Sequence, residues 1–398
     1  MLPVQIKPGI TWVGVNDRMT ELFEGLWTIK QEGVSYNSYL IQDDKTVVID
    51  LCKSLLTGEY VTQLEDLVPL EKLDYVVINH MEPDHTGALR TLLKKAPQVQ
   101  IIGTAKTRDM LKEFYGITEN VRAVADGETI ELGHHTLRFV VVPFLHWPET
   151  MMTYEEKEQI LFSCDAFGSY GALNGSIFDD LTGDLAWYEQ EALRYYTNIV
   201  AIFPKPVRKA LDKLANVPLS VLAPSHGLVW RKNPKRIIDL YDRWSSLATE
   251  PADPGVTLIY ASMYGNSESV MEAVAQGVTD AGLPLKIFNV SKTPMSYILP
   301  HLLTRSGVLI GAPTYEGGLF PDMATALRIA EGKHMYHRKA AYFGSHAWAG
   351  GAEREFRTLA EELQWEVHST FNFTGAPSRD ELAQAREFGR DFALKLKE

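Results

Sequence analysis

The chain has 398 residues, 45% of them hydrophobic and 23% charged, and a formal net charge of -12. That length calls for two domains with full-sized cores. The acidic balance excludes nucleic acid and anionic membrane surfaces as partners, because both require a basic face.

Cysteine usage narrows the field further. Only Cys52 and Cys164 occur, so there is no disulfide framework. Nor is there a C-x-x-C for a rubredoxin site, an iron–sulfur cluster or a redox dithiol. Both cysteines are expected as small buried side chains. The N-terminus lacks an apolar signal-peptide core, and no stretch reaches the roughly 18 apolar residues of a membrane span. A cytoplasmic protein is expected.

In chain order, residues 1 to about 245 carry short β-rich runs: "SYNSYLIQDDKTVVID", "LDYVVINH", "VQIIGTA", "HTLRFVVVPF", "QILFSCDAF" and "LSVLAPSHGL". The first reads as a hairpin around "QDDK". Helical patterns such as "TGALRTLLKKA" and "KRIIDLYDRWSSLA" separate some of the strands, which predicts sheet layers covered by helices.

Residues of metal-ligand type stand at the ends of these runs. "YVVINHMEPDHTGAL" holds His80, Glu82, Asp84 and His85 just past a strand, where sites in α/β architectures gather. His146, Asp165 and His226 follow later β runs in the same way. Any one of them alone would read as a structural histidine or a turn-capping carboxylate; the recurrence points to a site. His134 and His135, in an obvious turn, receive no role. Strand alternation is expected to turn Cys164 away from whatever Asp165 faces.

Four histidines and three carboxylates exceed the four ligands of one tetrahedral zinc. Two metals sharing Asp165 as a bridge would use all seven. The oxygen-rich set with imidazoles favours redox-active iron, or manganese, over zinc.

"SSLATEPADPGV", residues 245–256, has Pro251 and Pro254 and no periodicity, and reads as a linker. The expected domains are therefore 1–250 and 251–398. After the linker, β and α segments alternate strictly, which predicts a doubly wound parallel sheet.

"ASMYGNSESV" follows the first strand of this half and opens its first helix. Ser262, Met263, Tyr264, Gly265, Asn266 and Ser267 could wrap a phosphate with their amides and hydroxyls. With no G-x-x-x-x-G-K lysine, a monophosphate is the better guest. Pro313, Thr314 and Tyr315 leave the third strand, and Ser345, His346, Ala347, Trp348, Ala349 and Gly350 leave the fourth, hence on the same rim. Tyr315 and Trp348 could contact an isoalloxazine, with backbone near Pro313, Thr314 and Ser345 bonding its pyrimidine edge.

These motifs, in this order, resemble the flavodiiron protein family, and the resemblance runs over essentially the whole chain. It implies a metallo-β-lactamase-like αββα sandwich followed by a flavodoxin-like domain, with FMN and two non-haem irons per chain. One iron would be held by His80, Glu82, His146 and Asp165, the other by Asp84, His85, Asp165 and His226. Together the seven would form the catalytic centre. Tyr195 or Tyr196, in "EALRYYTNIV", is implied near the metals. Departures from the family pattern are His346-Ala347, Ala349 and Glu316-Gly317.

The implied activity is reduction of O2 to water, NO to N2O, or both. The implied assembly is a head-to-tail homodimer or homotetramer, with Trp147, Pro148 and Met151 as candidate walls facing a partner's flavin. Electrons would come from an external donor such as rubredoxin, a flavin reductase or reduced deazaflavin. Two other classes remain open on the residues alone: a dizinc hydrolase with a regulatory flavin domain, and an electron-transfer or sensing protein with a structural dimetal site.

Overall fold

The computed structural model describes residues 1–398, which form two compact units, Met1–Ser245 and Ser246–Glu398. The first contains two main sheets. Seven strands run in the order Val4–Lys7, Ile10–Trp12, Tyr39–Gln42, Thr46–Ile49, Tyr75–Val77, Gln100–Gly103 and Val121–Ala123. The first three neighbouring pairs are antiparallel and the last three parallel. Thr46–Ile49 is buried along its whole length, as expected for a strand covered on both faces.

The other sheet has five strands, Thr129–Glu131, Thr136–Val141, Met151–Glu155, Ile160–Cys164 and Val221–Pro224. Only its last pair is parallel. Inner faces of the two sheets meet where the rings of Tyr39 and Phe162 approach to 4.9 Å. Tyr39 Oη also donates to the Pro224 carbonyl at 2.6 Å.

Local sequence explains the covering helices. Ala105–Tyr115 starts at Thr104, whose hydroxyl accepts from Thr107 N in a reciprocal cap, and stops where Gly116 adopts φ 71°. Pro204–Leu214 begins with proline, which tolerates the first helical position, and buries Val207, Ala210 and Leu214.

The linker expected over 245–256 is shorter in the structure. The helix Pro234–Ser246 and the strand Asp253–Tyr260 close in on it from both sides. Pro254 fits into the strand because it is exposed and precedes the regular pairing that resumes at Val256.

In Ser246–Glu398, five strands run all parallel, in the order Leu285–Asn289, Asp253–Tyr260, Arg305–Gly311, Lys339–His346 and Glu366–Thr374. This is the flavodoxin-like order, with its switch point beside the first strand. The helices Asn266–Asp280 and Arg379–Lys395 pack closely. A methyl at Gly277 would collide with the backbone of Arg386.

Candidate functional site

In the first unit, parallel strands deliver the site from one rim. Tyr75–Val77 ends just before Asn79, whose backbone and side-chain nitrogens donate to buried Asp50 at 2.8 and 3.0 Å. His80 follows. The single helical turn Pro83–Thr86 then displays Asp84 and His85. Asp165 and His226 leave the paired strands Ile160–Cys164 and Val221–Pro224, and His146 comes from the loop after Thr136–Val141.

All seven expected side chains converge. The ligand-type atoms of His80, Glu82, His146 and Asp165 lie within 4.8 Å of one another, as do those of Asp84, His85 and His226. Asp165 Oδ2 faces the first set, 3.4 Å from His80 Nε2 and 3.1 Å from His146 Nε2. Its Oδ1 faces the second, 2.9 Å from His85 Nε2 and 3.2 Å from His226 Nε2. Glu82 Oε2 stands 3.3 Å from both His80 and His146, and Asp84 reaches His85 at 3.4 Å and His226 at 3.3 Å.

These separations fit metal ions. Ligand atoms bound at ~2.0–2.1 Å around a tetrahedral centre lie ~3.3 Å apart. His85 Nε2, His226 Nε2, Asp165 Oδ1 and both oxygens of Asp84 are buried and make no hydrogen bond, although they stand within ion-pair distance of one another. Buried polar atoms are ordinarily paired, and two cations would satisfy this set.

The electrostatics agree. Burial opposes charge on His80, yet its bonds to Glu149 and Glu82 push its pKa up to about 10. Burial likewise opposes charge on His226, and Asp165 and Asp84 raise it to about 10. Burial also works against His85 and His146. Asp84 and Asp165 lift the first to about 9, and Asp165 and Glu82 lift the second to about 9. Asp165 is held well below the usual carboxylate range against its burial by His85, His146 and His226.

In the second unit, Ser262–Ser267 joins the first strand to the helix Asn266–Asp280. Gly265 has φ 92°, and no side chain caps that helix. Ser262 Oγ accepts from Gly265 N at 3.1 Å, and Ser267 Oγ meets Ser345 Oγ at 3.3 Å, which brings two of the expected loops together. Tyr264 and Trp348 are 90% and 94% exposed, and Tyr315 is partly exposed. Uncapped amides beside three uncovered aromatic rings fit a phosphate-bearing, flat-ringed guest.

Comparison with known proteins decides the family. A family model described as ODP family beta lactamase matches residues 34–227, and one described as Flavodoxin matches 258–389. A protein named anaerobic nitric oxide reductase flavorubredoxin from Escherichia coli is 35% identical over 398 residues, which is 98% of this chain and 82% of that one. The solved flavodiiron protein from Giardia intestinalis has a TM-score of 0.93 at 29% identity, covering 100% of this chain and 97% of that one. Rubredoxin oxygen:oxidoreductase from Desulfovibrio gigas has a TM-score of 0.93 at 26% identity, covering 99% and 98%. The chain belongs to the flavodiiron protein family.

Sequence reasoning missed part of this flavodiiron centre. Glu149 is fully buried and its Oε1 lies 2.6 Å from His80 Nδ1. It sits three residues after His146, in a segment read only for its histidine. Cys164 corrects an expectation: its sulfur lies within 4.8 Å of ligand-type atoms of both His85 and Asp165. Its φ of 53° and the register shift after Phe162 break the alternation that was to turn it away.

Of the two tyrosines, Tyr195 lies near the site, its ring 5.6 Å from that of His226. Tyr196 packs instead against Tyr241 and Trp244. Met151 is fully buried in its strand, so it offers no outward wall. His134 and His135 lie outside the cluster, with His135 Nδ1 2.9 Å from Glu155 Oε1. A cavity of about 300 Å³, lined in part by Phe23, Tyr36, Lys53, Glu82 and Asp84, opens onto the carboxylates.

Proposed function

We propose that this flavodiiron protein reduces O2 to water, NO to N2O, or both. The centre is a pair of irons held by His80, Glu82, His146 and Asp165 on one side and Asp84, His85, Asp165 and His226 on the other. The observation that carries the reading is Asp165, whose two oxygens each face a separate pair of imidazoles at 2.9–3.4 Å. The Escherichia coli relative's name supports the nitric oxide chemistry, and that of the Desulfovibrio gigas neighbour the oxygen chemistry.

When bound, the irons would supply the polarising and reducing chemistry toward a diatomic molecule, and FMN the electrons. The chain's own residues set the conditions. Asp165 holds the two positions at a fixed spacing, and the buried rings of His80, His85 and His226 keep bulk water from that face. The cavity bounded by Phe23 and Tyr36 admits a small molecule next to Glu82 and Asp84. Reduction of O2 to two waters consumes four electrons and four protons. Two NO yield N2O and water with two of each.

For FMN, the reading uses the hydroxyls of Ser262 and Ser267 and the amides of Tyr264, Gly265 and Asn266 for the phosphate. Tyr315 and Trp348 flank the isoalloxazine, and backbone near Pro313, Thr314 and Ser345 meets its pyrimidine edge. The remaining loop positions, Met263, His346, Ala347, Ala349 and Gly350, shape the rim.

The only cysteines in these 398 residues are buried and free, so the donor centre lies outside them. A rubredoxin, a flavin reductase or reduced deazaflavin would serve. The reading includes a head-to-tail dimer, or a pair of such dimers, that brings one copy's FMN to another's metals. It also places the protein in the cytoplasm, and no helix is long and apolar enough to cross a membrane. The domain boundary falls near residue 250.

The test is metal and flavin analysis of the purified protein, with anaerobic turnover on O2 and on NO using one artificial donor. About two irons and one FMN per chain, with gas reduction, is the expected result. Zinc with esterase or lactamase turnover would replace this reading with a hydrolase. Iron and flavin with no fast reoxidation by either gas would leave a carrier or sensor.

A further inference from the structure

We infer that Glu149 makes the two metal positions unequal, so that the one bounded by His80, Glu82, His146 and Asp165 fills first and more tightly. The inference rests on the two-metal reading above. By ligand type the positions are equal: each offers two imidazole nitrogens, one carboxylate of its own and one oxygen of Asp165. What separates them lies behind the rings.

Behind His80 stands a carboxylate. Glu149 Oε1 is 2.6 Å from His80 Nδ1 and also accepts from Met81 N at 2.9 Å. The Glu149 carbonyl accepts from Thr104 Oγ1 at 3.1 Å, and Thr104 caps the helix Ala105–Tyr115. The Trp147 ring meets that of His80 edge-on at 5.0 Å. Together these contacts fix the carboxylate behind the His80 ring. A carboxylate in that place keeps the proton on Nδ1, aims the Nε2 lone pair at the metal and makes it a stronger donor. Glu149 Oε2 is buried with no hydrogen bond, a cost that packing alone would avoid by using an apolar side chain.

The other position has no hydrogen-bonded carboxylate behind its rings: buried Asp50 acts on His85 through charge alone. His226 Nδ1 pairs with the neutral Ser35 carbonyl at 2.7 Å, and His85 Nδ1 is buried without a hydrogen-bond partner. Binding metal through His85 Nε2 leaves the opposite N–H unsatisfied. Glu149 is therefore a positioning residue that acts on one metal position through His80.

The test is anaerobic titration of the metal-free full-length protein with Co(II), followed by visible absorption and equilibrium dialysis. Wild type should fill in two steps at least about tenfold apart, the scale of an outer-shell partner. Glu149→Gln keeps the accepting oxygen and removes the charge. It should weaken the tight step by about 10–100-fold and leave the other in place, and Glu149→Asp should restore separate steps. Asp84→Ala should keep the tight step and lose the weak one. Two indistinguishable steps in wild type would overturn the inference even if Glu149→Gln does not fold. So would Glu149→Gln binding cobalt as wild type does while only its melting temperature falls. Loss of the tight step in Asp84→Ala with the weak one kept would also overturn it. Wild-type protein that takes up no second cobalt refutes the two-metal reading itself.

Discussion

Adding a divalent metal to the metal-free chain at neutral pH should expel about two protons per ion. The four site histidines have pKa values raised to about 9 or 10, against the pull of burial, by carboxylates within hydrogen-bond or ion-pair reach. At pH 7 such a ring is roughly 99% protonated, since two pH units separate it from its midpoint. A metal accepts only the neutral ring, and each position has two. The logarithm of the apparent affinity should therefore rise with a slope of about 2 per pH unit from pH 7 and flatten above the raised values.

The same shifts fix the stability of the metal-free chain. A histidine whose pKa rises on folding stabilises the fold fully below its unfolded value of about 6.5. That contribution fades as pH passes through the folded value, so the metal-free unit should weaken between about pH 7 and 10. Calorimetry in buffers of differing protonation heat counts the protons. Release of fewer than about one proton per ion at pH 7, or an affinity independent of pH between 6.5 and 9, would show that the rings are neutral and refute the reasoning.

Asp165→Ala removes the oxygens that face both positions, so it should bind fewer than two metals and lose gas reduction while keeping FMN; two retained metals would exclude the bridge. Trp348→Ala should weaken flavin retention on gel filtration without changing iron content. Tyr195→Phe deletes a buried hydroxyl that makes no hydrogen bond, so the melting temperature of the metal-free chain should hold or rise. A clear drop would mean the hydroxyl has a partner in solution. Chelation should lower the melting of Met1–Ser245 and leave that of Ser246–Glu398 unchanged, which calorimetry with and without chelator would separate.

The fold was legible wherever pattern and period agreed. Strict alternation of β and α segments after Val256 predicted a parallel sheet, because parallel strands need a long crossover, usually a helix. The N-terminal unit was harder, since its antiparallel and parallel halves share one sheet and its buried strands lack alternation. The seven ligand-type residues stood out because they follow four apolar runs, four of them in the one loop after Tyr75–Val77, a local signal. Glu149 gave no such signal: its role depends on where His80 Nδ1 points, which only the packed loop determines. Cys164 misled because alternation assumes a regular strand, and one left-handed residue at the strand end redirects the side chain. Tyr195 and Tyr196 are neighbours in sequence and equally aromatic. Only the helix rotation, carried through the π-helical turn Tyr196–Val200, sends one toward His226 and the other toward Trp244.

Each unit is stabilised internally by a different kind of interaction. Ser246–Glu398 buries a continuous apolar cluster from Val256 and Leu258 through Phe343 to Phe392, which needs no bound group to be favourable. Met1–Ser245 has an apolar core as well, but it also encloses Asp84, His85, Asp165 and His226 with atoms left unpaired. Each unpaired buried polar atom costs about 1–3 kcal/mol, on the order of a sizeable share of a domain's net stability. Ion pairing of Asp165 with the raised imidazoles of His85 and His226 offsets part of that cost. Metal removes the remainder by satisfying the unpaired atoms together, so its binding energy is also folding energy for this unit. A buried centre whose ligand atoms have no other partner would thus be held loaded by the same energy that stabilises the fold, which is what repeated electron transfer through it requires.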